Sequence, residues 1–212
     1  KNPKSDIEII ENTELKNLIK VIYQTEPKIF QKLNKEQQKT IIEMFRAILN
    51  SDDKNKFIDI LDKAGVMYAR GGARCDNVSN IDDEIASVAP THIISFIGRT
   101  HGTIGDKQYT TIDYLEQDGK LRENMNDNLY SPIILATVAK KHNIHYTYLG
   151  TGCIFKYDDN HEFECENNGF AENDLPNFFG SGYSIVKGYT DKLMHELFGT
   201  SVLNLRIRMP IT

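Results

Sequence analysis

The sequence predicts an α/β protein whose doubly wound parallel sheet starts at about residue 66 and follows an all-helical segment. Three observations predict it. Apolar residues in the first 65 positions recur at helical spacing only. From residue 66 onward, short strand-like apolar runs alternate with helical patterns, which implies crossover connections between parallel strands. One of those runs, "THIISFIG", is apolar almost throughout, as in a strand covered on both faces.

The elements follow in order. Leu15, Leu18, Ile19 and Ile22 share one helical face, and Ile41, Ile42, Phe45, Ile48 and Leu49 share another. Asn34 with Gln37 resembles a capping box opening the second helix. A shorter helix carries Phe57, Ile60 and Leu61, and Gly65 suits its stop. These are amphipathic helices with solvated outer faces, a packing or linker module without chemistry of its own. Next, "VMYAR" (66–70) is a strand candidate, and "SNIDDEIASV" is a helix with Ser79 as N-cap. "THIISFIG" ends as a strand at Gly98, and a polar loop leads into a long helical stretch to about His142. "HYTYLG" is the next strand, 156–180 is irregular, a helix spans about 181–198, and "VLNLRIR" closes as a strand. Ligands of open parallel sheets sit outside the carboxyl ends of the strands. That rule selects Gly98, Thr151 with Cys153, and Arg208 to line one cleft.

Bulk properties exclude several function classes. The 212 residues can bury a real core, and the net charge of −5 comes with no basic block, which argues against nucleic acid as a partner. No apolar run is long enough to span a bilayer, and no signal-peptide pattern opens the chain. Three cysteines, an odd number, read as reduced thiols in the cytoplasm. Cys153, His161 and Cys165 share one irregular stretch without paired Cys-x-x-Cys spacing, so no metal site is expected. The chain begins at Lys1 and stops just past a strand-like run, so a piece of a longer protein is expected.

Tyr183 and Lys187 are four apart on a predicted helix and so share a face. An ammonium one turn from a phenol favours the phenolate and should lower its pKa toward neutrality, fitting it to deliver a proton to a carbonyl oxygen. The Thr151 hydroxyl can hold the same oxygen. Cys153, two residues on, can remove or return a proton next to a ketone, since a thiol titrates near 8.5. A small thiol that merely fills space is the alternative. Pro132 cannot donate to the carbonyl of Asn128, four residues back, which leaves that carbonyl free to hold a water. A kink relieved by ordinary solvent is the alternative there.

"TYLGTGCIF", "ENDLPNFFGSGYSIVKG" and "LNLRIRMPI" resemble the extended short-chain dehydrogenase/reductases, a Rossmann-like family. Within it they are similar to nucleotide-rhamnose synthase epimerase/reductases and their giant-virus relatives. The resemblance covers roughly residues 66–212. It implies an NADPH-dependent enzyme that epimerises C3 and C5 of UDP-4-keto-6-deoxyglucose and reduces its C4 ketone, yielding UDP-L-rhamnose. It implies Tyr183 as proton donor, Thr151 as its partner, and Lys187 on the nicotinamide ribose. Cys153 is implied as an epimerase acid/base, and Asn128 as the holder of a relay water. The family's second epimerase residue would lie beyond residue 212. Gly98, Arg99 and Pro210 are implied on the cofactor side, and Arg70 and Arg74 suit a 2′-phosphate, hence NADP, with simple surface charges as the alternative. His101, Asn177, Phe178, Arg208 and Met209 are implied as substrate contacts, with plain loop polarity the alternative for Arg99 and His101; a homodimer is one assembly the sequence leaves open. One part of the family pattern is absent: residues 1–65 contain no glycine-rich turn, Gly65 being the first glycine of the chain. Two alternatives therefore stand beside this reading. One is a plain reductase of the dTDP-4-dehydrorhamnose type with Cys153 idle. The other is a silent binding protein that has lost the cofactor loop.

Overall fold

Helix α1, Val78–Val88, opens where the Asn77 side chain accepts a hydrogen bond from the Asn80 N–H (3.1 Å). Asn77 takes the capping place expected for Ser79, which lies inside the helix. The computed structural model describes residue 58, residues 61–62, 67–162 and 169–207. The helices expected before residue 57, and the roles expected of Cys165, Arg208, Met209 and Pro210, lie outside the described residues. Ile58, Leu61 and Asp62 are helical, in keeping with the short helix expected there. Residues 67–70, expected as a strand, are irregular, and Met67 is 98% exposed. Without apolar burial a run of strand formers has nothing to hold it in a sheet.

Gly71–Arg208 forms one compact unit. After α1 come β1 (His92–Ser95), a hairpin of β2 (Gly102–Ile104) and β3 (Lys107–Tyr109), and a short 3-10 turn, Ile112–Tyr114. One helical stretch follows: α2 (Leu121–Met125), a π-helical turn (Asn126–Tyr130) and α3 (Ser131–Lys141). Then come β4 (His145–Thr151), a 3-10 turn (Gly152–Ile154), α4 (Gly182–Phe198) and β5 (Val202–Ile207). The polar loop after Gly98 thus contains a hairpin that the hydrophobic pattern did not announce.

The main sheet is parallel, with order β1-β4-β5. Register aligns Ile93 with Tyr146 and Tyr146 with Val202, so these three share a face. On that face Tyr146 and Tyr148 pack with Ile81 and Ile85 of α1, Leu135 and Ala139 of α3, and Met194 and Phe198 of α4. At roughly 25 cal/mol per Å² of buried apolar surface, this cluster is the main force holding helices to sheet. β1 is the sheet's edge among the described residues, and Ile94 on its other face is 39% exposed. The complete cover expected for "THIISFIG" is therefore absent there. Pro132 sits directly after the π-helical turn, where its missing N–H would otherwise break the helical ladder.

Candidate active site

The carboxyl end of β4 and the first turns of α4 build one wall. Thr151 ends β4 and is buried, and its Oγ1 accepts the Cys153 N–H (3.1 Å) that starts the following turn. The same hydroxyl lies close enough to the Tyr183 phenol to act on its proton. Ser184 Oγ donates to the Cys153 carbonyl (2.8 Å), stitching that turn to α4. Cys153 packs against Tyr183, Tyr114 and Leu115. Two loops far apart in sequence thus bring a hydroxyl, a thiol and a phenol together, with Lys187 one turn further along α4.

Three restraints aim this part of α4. Ser181 caps it by accepting from the Ser184 N–H (3.1 Å). The Glu116 carboxylate accepts from the N–H groups of Gly182 (2.8 Å) and Tyr183 (2.9 Å), placing negative charge at the positive end of the helix. Glu116 stands at the end of the segment begun by the hairpin. That segment also lays Tyr114 and Leu115 against Tyr183, with Gly102 so close to the Tyr114 ring that a Cβ there would come within 2.5 Å. Tyr114 is fixed in turn by Glu123 and by Lys120 (2.6 Å).

The electrostatics differ from the sequence-based expectation. Burial pushes the Tyr183 phenol up to about 12, opposed by the Thr151 hydroxyl beside it. Lys187 does not lower it, because its Nζ donates to the Tyr148 hydroxyl and lies 4.6 Å from that ring's centre, with the Leu149 carbonyl at 3.5 Å. Burial draws Lys187 itself down to about 8. Tyr148, buried and with its phenol raised well above the ordinary range by the same desolvation, is a neutral partner. Strand alternation could have found it, since Tyr146 and Tyr148 share the helix-facing side. No sequence signal marks Glu116.

Asn128 is buried and does two things. Its side chain brackets Arg99, accepting from the Arg99 N–H (2.9 Å) and donating to its carbonyl (2.9 Å). The carbonyl of Asn128, expected to stand free for a water, accepts from Thr190 Oγ1 (2.8 Å). Gly98 lies against the same amide: a Cβ there would be 3.0 Å from Asn128 Oδ1. The glycine thus lets the Asn128 amide pack directly on the loop after β1.

The other expected contacts lie on exposed loops. Arg99 pairs with Asp127 (2.6 Å) and Glu123 (2.9 Å). Arg74, its side chain 75% exposed, pairs with Asp76 (2.6 Å) beside a surface concavity of about 700 Å³. His101 is exposed and bonded to Thr100, and Arg70 is exposed. Asn177 brackets Lys156, whose N–H it accepts (2.8 Å) and whose carbonyl it bonds (3.0 Å); the Asn177 and Phe178 N–H groups both donate to Ile154. These two residues shape the turn beyond Cys153 rather than presenting free polar groups to the cleft. Among the described residues no group of three or more His, Cys, Asp or Glu is arranged to hold a metal, and no helix is long and apolar enough to cross a membrane.

Known proteins match this arrangement. The L780 protein of Acanthamoeba polyphaga mimivirus is 56% identical over 153 residues, covering 72% of this chain and 50% of the viral one. The crystal structure of that L780 UDP-rhamnose synthase superposes with a TM-score of 0.65 at 55% identity, over 73% of this chain and 51% of the other. The chain is a relative of the nucleotide-rhamnose synthases. A plant relative in Arabidopsis thaliana agrees at 36% identity over 153 residues, 72% of this chain and 21% of its own. Its name reads trifunctional UDP-glucose 4,6-dehydratase/UDP-4-keto-6-deoxy-D-glucose 3,5-epimerase/UDP-4-keto-L-rhamnose-reductase. No family model matches the chain. The chain spans about half the length of the viral relative and a fifth of the plant one. The resemblance expected from the three loop motifs is correct, and so is the parallel α/β fold that went with it.

Proposed function

We propose that this rhamnose-synthase relative is an NADPH-dependent epimerase/reductase of a nucleotide-linked 4-keto-6-deoxy sugar, yielding UDP-L-rhamnose or a close relative. The observation that carries the reading is the convergence of Thr151, Cys153 and Tyr183 through one hydroxyl, with Lys187 a turn away. A phenol raised to about 12 keeps its proton at neutral pH, as an acid must. Tyr183 gives that proton to the C4 oxygen, and Thr151 holds the oxygen in line. Cys153 takes or returns the proton at C3 or C5, where the neighbouring ketone makes the C–H acidic.

The residues present fit a dinucleotide on the β1 side. Gly98 carries no side chain to obstruct a ligand, Asn128 fixes the turn at Arg99, and Lys187 can reach a ribose by leaving Tyr148. Bound there, NADPH would supply hydride. Arg74 suits a 2′-phosphate once it exchanges Asp76 for it, and Arg99 suits the cofactor side as well; for Arg70 and Pro210 that role rests on the resemblance alone. Asn177 and Phe178 support the sugar side through the turn beyond Cys153; for His101, Arg208 and Met209 a substrate contact rests on the resemblance alone. Asn128 acts as a clamp on the β1 loop. Two free thiols, Cys75 and Cys153, suit the cytoplasm. Exposed Leu121, Met125, Tyr130 and Tyr189 suit a homodimer.

The test is incubation with UDP-4-keto-6-deoxyglucose and NADPH in deuterated water. Expected are NADPH oxidation and deuterium at C3 and C5 of the product, with Cys153→Ala losing deuterium incorporation. Reduction without deuterium leaves a plain reductase; no saturable NADPH binding removes the enzyme reading.

A further inference from the structure

Helix α4 carries a third polar residue on the face of Tyr183 and Lys187. Asp191 is four positions beyond Lys187, one turn away, and is 3% exposed. Its carboxylate is gripped from β5. Arg206 donates from Nε to Oδ1 (2.8 Å) and from Nη2 to Oδ2 (2.7 Å), and Asn204 Nδ2 adds a bond to Oδ1 (2.7 Å). The guanidinium directs its remaining donors to the carbonyls of Ala171 (3.2 Å) and Glu172 (2.9 Å), and it lies 5.2 Å from the centre of the Phe155 ring. A two-point guanidinium–carboxylate pair anchored at both ends has one orientation.

We propose that Arg206 is a positioning residue for Lys187: by occupying both oxygens of Asp191 it keeps that carboxylate from capturing the lysine amine, which is left on the Tyr148 hydroxyl. The inference rests on Lys187 serving the proposed chemistry, although its test does not need that chemistry to run. The charged or titratable groups facing Lys187 are Asp191 and Tyr183 from α4, Tyr148 from β4, and Cys153 from the turn after it; Arg206 stands on β5 behind Asp191. Were Asp191 unpaired, a bare carboxylate one turn away would hold Lys187 as an ammonium and oppose the loss of its proton. Burial draws Lys187 down, and the Asp191 charge opposes that shift.

The test reads the Lys187 titration midpoint in the full chain without cofactor, by lysine-selective NMR or by competitive acylation with peptide mass spectrometry. Arg206→Gln is expected to raise the midpoint by about 1–2 units, and Asp191→Asn to lower it by about 1 unit. Arg206→Lys restores the charge without the two-point fork and should recover part of the shift. A purely structural role would not move the midpoint in opposite directions. An unmoved or lowered midpoint in Arg206→Gln overturns the proposal. If Arg206→Gln does not fold, Asp191→Asn and Arg206→Lys decide: a fall in the first with a small rise in the second supports it, and no shift in either overturns it. Failure of the parent chain to bind NADPH would count against the proposed function alone, since these shifts are read without cofactor.

Discussion

The two sides of the cleft are built differently. On the β4–α4 side, Thr151, Tyr183, Lys187 and Asp191 are all buried, and each is hydrogen-bonded across elements. On the β1 side, Arg74, Arg99 and His101 stand on loops, and their charged or polar groups are met by near neighbours such as Asp76, Asp127 and Thr100. A group held from several directions in a dry place keeps one geometry, which proton transfer demands. A surface ion pair contributes little and exchanges partners readily, which suits capture and release of a phosphate. The difference sets a rigid wall, suited to the proposed proton transfers, against an adjustable rim, suited to the proposed cofactor.

The sharpest way to break that division is Tyr183→Phe. It should lower the reduction rate by about 10²–10⁴-fold, the range for loss of a general acid, while deuterium exchange at C5 persists. If steady-state reduction survives, the wall has been given the wrong donor. Next in size is Arg206→Ala, which strands the buried Asp191 carboxylate and should cost about 3–5 kcal/mol in urea unfolding. A third effect is pH-dependent. With Lys187 near 8 in the fold and about 10.4 when unfolded, the unfolded chain binds the extra proton between those values. Stability contributed by this group therefore rises from pH 8 to 10, by about 1–3 kcal/mol, and Lys187→Met should flatten that rise in a series of unfolding curves. Smallest is the rim: Arg99→Ala, half in solvent, should change stability by under about 1 kcal/mol while weakening NADPH binding in a fluorescence titration. A large loss of stability there would erase the contrast between the two sides.

Much of the wall could be read from residue order, because helical and strand periodicities are local. Tyr183 and Lys187 four apart, and Thr151 at a strand's end, needed only those periods and the rule for open sheets. The same helical spacing pointed on to Asp191, but its partner Arg206 comes from a different strand, and no local pattern pairs them. Tyr148 was hidden for the same reason: strand alternation gives its face, whereas its contact with Lys187 depends on how α4 packs over β4. In sequence the rim reads as charge that suits a ligand, whereas the fold supplies partners from another element, as Arg99 has in Glu123 and Asp127 of the helical stretch after the hairpin. The hairpin Gly102–Tyr109 escaped because its strands are three residues each and largely exposed, with no apolar alternation to betray them.

The hydroxyl of Thr190, seated on the Asn128 carbonyl, has a wider effect than closing one hydrogen bond. Both residues are sealed from solvent, as is Tyr148 nearby. A proline that would ordinarily open a wet notch in its helix is instead plugged from the neighbouring helix. The carbonyl that Pro132 releases is thereby tied to α4, so the irregular turn joins the two helices instead of parting them.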